Sequence, residues 1–196
     1  MNGDYESRIN DVLFELIKIR KWINKNQQDT FTKYLTSYAV IKACARIEVL
    51  IKEIIYEFLT KNGSAYAQNF VNHHVIDSPD NPSTHRIARF LDAFSGEMKK
   101  QFEEKLKKSD NIKSDLNSLV NLRNAFAHGR DMTSSIDTII KYYLSAVEVI
   151  ILLQEVLGVH GVINRKNILS KDLNTELEER LTIKSQEVGK KKFPYR

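Results

Sequence analysis

Hydrophobic residues recur along the chain at three- and four-residue intervals, and this spacing predicts helices almost throughout. Ile9, Val12, Leu13, Leu16, Ile17 and Ile23 share one face of a first helix over about 4–26. Val40, Cys44, Ile47, Ile51, Ile54, Ile55 and Phe58 make a longer stripe, predicting a helix over about 30–61 that Asn62-Gly63 stops. Residues 64–83 are the least regular, with a short helix expected over 65–75 and turn formers across 77–83. Ser83 or Thr84 then starts a helix reaching Phe94. Ser95-Gly96 breaks the pattern before a charged helix over 97–108. Leu116, Leu119, Val120 and Ala127 mark a helix over about 111–128 that ends at Gly129. Thr133 or Ser134 is expected to cap the next helix, which Gly158 terminates after Leu157. Val147, Val149, Ile150, Ile151, Leu152, Leu153, Val156 and Leu157 cover nearly all its faces, so it is either the buried centre or part of a dimer surface. Beyond it, 159–167 reads as loop or short strand and 170–181 as a last helix. Strand-like alternation is almost absent, and the fold class expected is all-α.

Composition narrows the class. The 196 residues suffice for one domain with its own core, expected over 1–185, followed by a basic tail over 186–196. A single cysteine, Cys44, excludes an internal disulfide and a cysteine-based zinc site, and its apolar neighbours suggest a buried, inert thiol. His73 and His74 are adjacent and would diverge on a helix, so no metal or other cofactor is expected. The N-terminus has no apolar signal core and the longest apolar run is too short to span a bilayer, so a cytoplasmic protein without a membrane partner is expected. A formal net charge of +5 is compatible with a nucleic-acid partner without requiring one. Among the basic residues, Arg86, Arg89, Lys99 and Lys100, with Arg130 beyond the 111–128 helix, are candidate RNA contacts. On the 97–108 helix, however, Glu97, Glu103 and Glu104 dilute the charge, and a solvated charged face is the default reading.

The chemistry concentrates in Leu119-Val120-Asn121-Leu122-Arg123-Asn124-Ala125-Phe126-Ala127-His128-Gly129. Arg123 falls inside the apolar stripe, three residues after Val120 and four before Ala127. A guanidinium there stays charged and needs a carboxylate, a second subunit's polar groups or a phosphate. Asn124 and His128, four apart, share the adjoining face. Glu48 flanks the stripe of the second helix in the series Cys44, Glu48, Ile51, Ile55, which makes it the preferred partner of Arg123, across the bundle or across a dimer. A plainer reading competes: His128 interacts with the helix dipole, Arg123 forms an ordinary ion pair at the edge of the core, and Glu48 is solvated.

Arg123 and His128, four residues between them and a polar residue directly after the arginine, resemble the signature of the HEPN superfamily. The Arg-Asn-x-x-x-His-Gly ending is most similar to stand-alone HEPN proteins of the RiboL-PSP type. The resemblance extends from the second helix to Leu157. It implies a HEPN-like helical bundle with a long central helix pair, here carrying 64–108 as an inserted helical hairpin. It also implies a metal-independent endoribonuclease, with Arg123 on the phosphate, His128 as acid or base, Asn124 orienting His128 or a phosphate oxygen, and Glu48 holding Arg123. A homodimer with a composite active site, RNA as substrate, and a toxin or antiphage role with a possible antitoxin or defence-system partner belong to the same expectation. The alternative is a non-catalytic helical module, antitoxin-like or nucleotide-binding, in which the motif is inert.

Overall fold

The structure, a computed structural model, describes residues 5–62, 81–109, 111–130, 134–159 and 163–168. Their helices are α1 (Tyr5–Lys25), α2 (Phe31–Asn62), α3 (Thr84–Phe94), α4 (Gly96–Lys107), α5 (Ile112–Ala127), α6 (Ile136–Leu157) and the single turn α7 (Arg165–Ile168). Among the described residues there is no strand. The first compact unit ends at Ile163. A second begins at Asn164, and α7 is its described part. The expected helices over 65–75 and 170–181, the tail over 186–196, and His73 and His74 lie outside the described residues.

Local chemistry sets the helix ends. The Ser83 hydroxyl accepts a hydrogen bond from the Arg86 N–H and starts α3. Ser95 does two jobs with one extended backbone: its N–H donates to the Leu91 carbonyl, closing α3, and its hydroxyl accepts from the Met98 N–H, opening α4. Ser135, rather than Thr133 or Ser134, caps α6 by accepting from the Thr138 N–H at 3.1 Å. Gly158 ends α6 in the left-handed region, at φ +66°, where a side chain would be strained.

α6 is the centre of the bundle and packs against α1, α2, α4 and α5. Its apolar residues face every neighbour, so Ile139, Tyr143, Ala146, Val149, Ile150 and Leu153 have no accessible surface. That settles the two readings of this helix in favour of the buried centre. Several polar groups inside the bundle are matched, although Gln154 Oε1 is buried with no hydrogen-bond partner among the described residues. The Tyr143 hydroxyl donates to the Ile9 carbonyl at 3.1 Å. Asp115, buried at the start of α5, accepts from the Ser145 hydroxyl at 2.7 Å and faces Lys141. α2 packs against α1, α5 and α6.

Burial also fixes how the bundle responds to alkali. Burial pushes the Cys44 thiol up to about 11, and burial, followed by the nearby Glu57 and Glu53 carboxylates, pushes Tyr5 up to about 12. Burial moves Tyr143 upward too. The folded chain therefore keeps protons that the unfolded chain releases from about pH 9 upward. Stability is complete below that value and falls as pH climbs through the folded-state values. Denaturant titrations at pH 8 and pH 10.5 should show a lower midpoint at the higher pH, with a smaller drop in Cys44→Ala. An unchanged midpoint would show that these groups are not buried as described.

Candidate active site

α5 delivers Arg123, Asn124 and His128 to one end of the bundle. Leu116, Leu119 and Val120 anchor its inner face, and burial falls away over the last turn, where Phe126, Ala127, His128 and Gly129 are exposed. The helix closes on backbone bonds alone. The Gly129 N–H donates to the Phe126 carbonyl and the Arg130 N–H to the Ala125 carbonyl, both at 2.9 Å. Gly129 sits at φ +70°, the left-handed residue such a closure requires. The imidazole of His128 is thus held by a rigid main chain at the rim. Its ring is exposed and makes no hydrogen bond to any described residue.

Arg123 is half-buried and already engaged. Its Nη1 donates to Asn81 Oδ1 at 2.9 Å and to Asn124 Oδ1 at 3.2 Å. Asn124 thus places its amide oxygen on Arg123, and among the described residues no hydrogen bond joins it to His128. Asn81 was not legible as a site residue. It sits in the turn before α3, 42 residues from Arg123, and its segment is fastened to α5 a second time where Asn117 Oδ1 accepts from the Thr84 N–H and hydroxyl, each at 3.2 Å.

The expected Glu48–Arg123 ion pair is absent. Glu48 Oε1 lies 2.8 Å from Lys52 Nζ, one turn along the same helix. An i,i+4 pair forms with little added order, whereas a pair across the bundle needs both long side chains aligned. Both charges act on the Cys44 thiol, where burial dominates, Arg123 pulls the pKa down and Glu48 pushes it up. The helix carrying Glu48 packs against the helix carrying the motif.

The expected RNA contacts are dispersed. Arg130 is exposed directly after Gly129. Arg86 and Arg89 lie on α3, which the Asn81–Thr84 segment ties to α5; Arg89 is exposed. Lys99 is drawn to Asp92 at 3.0 Å, and Lys100 is exposed on α4. A cleft of about 490 Å³ opens at the start of α2, lined by Asp29, Thr30, Thr32, Lys33, Tyr34, Thr36 and Ser134. Ser134, six residues after His128 in the sequence, is one of the hydroxyl-bearing residues that line it. Among the described residues no three His, Cys, Asp or Glu side chains are grouped to hold a metal ion, and no helix is long and apolar enough to cross a membrane.

The family model described as RiboL-PSP-HEPN matches residues 4–158, which include α1 to α6 and the whole motif. No curated protein and no solved structure matches the chain.

Proposed function

The chain belongs to the RiboL-PSP type of the HEPN family, and from that premise we propose that it is a metal-independent endoribonuclease whose reacting groups are His128 and Arg123. RNA carries its own nucleophile, the 2′-hydroxyl. Its oxygen attacks the adjacent phosphorus, the new O2′–P bond forms and the P–O5′ bond breaks. The products are a 2′,3′-cyclic phosphate and a 5′-hydroxyl. One proton leaves the 2′-oxygen and one must reach the 5′-oxygen. Histidine, with an ordinary pKa near neutrality, suits either transfer. One imidazole does not obviously serve both at once, so the reading includes a homodimer that brings two motifs to one strand. Arg123 stabilises the charge that builds on the phosphate oxygens. Asn124 and Asn81 hold its guanidinium. Glu48, paired with Lys52, lies on the helix that packs against α5 and contributes there only through the local field. A toxin-like or antiphage role belongs to the same reading.

The observation that carries this reading is a half-buried arginine and an exposed histidine on one helix end whose backbone is locked. A second reading rests on the Arg123–Asn81 bond: a guanidinium that already ties the α3 segment to α5 serves a helical binding module without catalysis. The two separate on a single substrate pair. In excess chelator, the protein should cut an RNA oligonucleotide and bind but not cut the same strand carrying 2′-deoxyribose throughout. Binding of both with cleavage of neither supports the module.

A further inference from the structure

The first turns of α2 are built inside out. Thr36 and Ser37 are buried there, and their hydroxyls are engaged within the helix itself, donating to the Thr32 and Lys33 carbonyls at 2.8 and 2.9 Å. The rings of Phe31 and Tyr34 stay outside, 63% and 69% exposed, with centroids 6.2 Å apart at a tilt of 60°. Burying a ring stabilises a fold far more than burying a threonine, so folding does not account for this arrangement. Tyr34 stands on the wall of the cleft of about 490 Å³ that Asp29, Thr30, Lys33 and Ser134 also line. We infer that this cleft is the subsite for one unpaired nucleotide of the RNA strand, with its base stacked on Tyr34, and that the substrate is therefore single-stranded.

The groups around the ring match the parts of a nucleotide. An aromatic face left to solvent stacks on any base, and only a base outside a duplex has its own face to offer. Asp29 is held in place, because its Oδ1 accepts from the Phe31 N–H at 2.8 Å. A carboxylate keeps further acceptor positions beyond that one. It repels a phosphate, and it takes hydrogen bonds from an amino group on a base edge or from a ribose hydroxyl. Thr30 and Ser134 supply hydroxyls, which both donate and accept. Lys33, exposed beside Tyr34, brings a cation to the backbone of the strand. A site for an anion alone would lack the carboxylate. This mixture suits the nucleoside, with its phosphates left outside, and the cleft has the size of small-molecule pockets, about 300–1,000 Å³.

The subsite rests on the ribonuclease reading for its purpose and gives that reading a substrate class. Ser134 follows His128 by six residues, and a chain of that length reaches at most about 22 Å when fully extended. A stacked strand advances about 3.4 Å per nucleotide, so the cleft stands no more than about six nucleotides from the imidazole. One end of the bundle carries both. There α5 finishes, α2 and α6 begin, and Arg20 near the end of α1 meets Asp137 in the first turn of α6 at 3.6 Å. A strand lying across that end meets Arg123 and His128 with its scissile linkage and Tyr34 with a nearby base.

Binding tests the subsite apart from the chemistry. A short labelled strand carrying 2′-deoxyribose throughout, which offers no 2′-hydroxyl to react, is titrated with the full chain and followed by fluorescence anisotropy. The single strand should bind more tightly than the same strand annealed to its complement. Tyr34→Leu should weaken single-strand binding by about 5–100-fold, the loss of one base–aromatic stack. Tyr34→Phe keeps the ring and should bind as the wild type does. The unfolding midpoint and the mass by light scattering should be the same in all three proteins, since the ring is exposed. On cleavable RNA, Tyr34→Leu should raise KM and leave kcat near the wild-type value, because the stack is made equally before and during the reaction. Equal binding by Tyr34→Leu and wild type, a duplex bound as tightly as the single strand, or a Tyr34→Leu protein of altered mass would each overturn the subsite. A ring-dependent single-strand binder that never cuts RNA would keep the subsite and reject the enzyme; cleavage with KM unchanged in Tyr34→Leu would do the reverse.

Discussion

His128→Ala should lower the rate of RNA cleavage by about 10²–10⁴-fold, the range that a positioned acid or base contributes. Its fold should be untouched. The imidazole is exposed and bonds to no described residue, and the turn that carries it is closed by main-chain bonds from Gly129 and Arg130. Loss of the ring's interaction with the helix end costs at most about 1 kcal/mol. The measurement is cleavage of a labelled RNA beside a thermal unfolding curve. A variant that unfolds like the wild type and cuts at the wild-type rate removes His128 from the chemistry. One that loses both fold and activity says only that the structural account of this turn is wrong.

Arg123→Ala carries the second large effect and needs a control, because the side chain has two roles. Removing a charge-stabilising donor from a phosphate site lowers the rate by about 10²–10³-fold. The same change also severs the bonds to Asn81 and Asn124, at about 1 kcal/mol for a half-buried group. Asn81→Ala breaks the tie to the α3 segment and leaves the guanidinium in place. It should cost about the same stability but keep cleavage within about tenfold of wild type. If Asn81→Ala loses as much activity as Arg123→Ala, the arginine acts by fastening the loop and not by meeting the phosphate. Arg123→Lys, which keeps the charge without the planar fork, should fall between wild type and Arg123→Ala.

The helical frame could be read directly because its signals are local. Ser83, Ser95-Gly96, Gly129 and Gly158 each act within one turn of their own position, and the structure shows helices ending or starting at all four. The saturation of α6 with apolar residues narrowed it to the bundle's centre or a dimer surface, and the structure buries it on all sides. The site was legible in its residue types and less so in its partners. Arg123 as a cation in need of company is visible in a stripe of apolar neighbours. That its company is Asn81 depends on a chain reversal that no spacing rule encodes. Glu48 shows the opposite failure. A partner across the bundle looked attractive, but Lys52, four residues on, competes for the carboxylate at far lower entropic cost. The cap of α6 moved to Ser135 because several hydroxyls in a row offer equivalent caps, and only the incoming chain direction chooses among them.

The end groups left on cleaved RNA test the central claim most directly. Wild-type protein in excess EDTA, with a defined oligonucleotide and mass spectrometry of the fragments, should yield 2′,3′-cyclic phosphate and 5′-hydroxyl ends. Fragments bearing 3′-hydroxyl and 5′-phosphate ends, or cleavage that appears only when a divalent metal is restored, would contradict it.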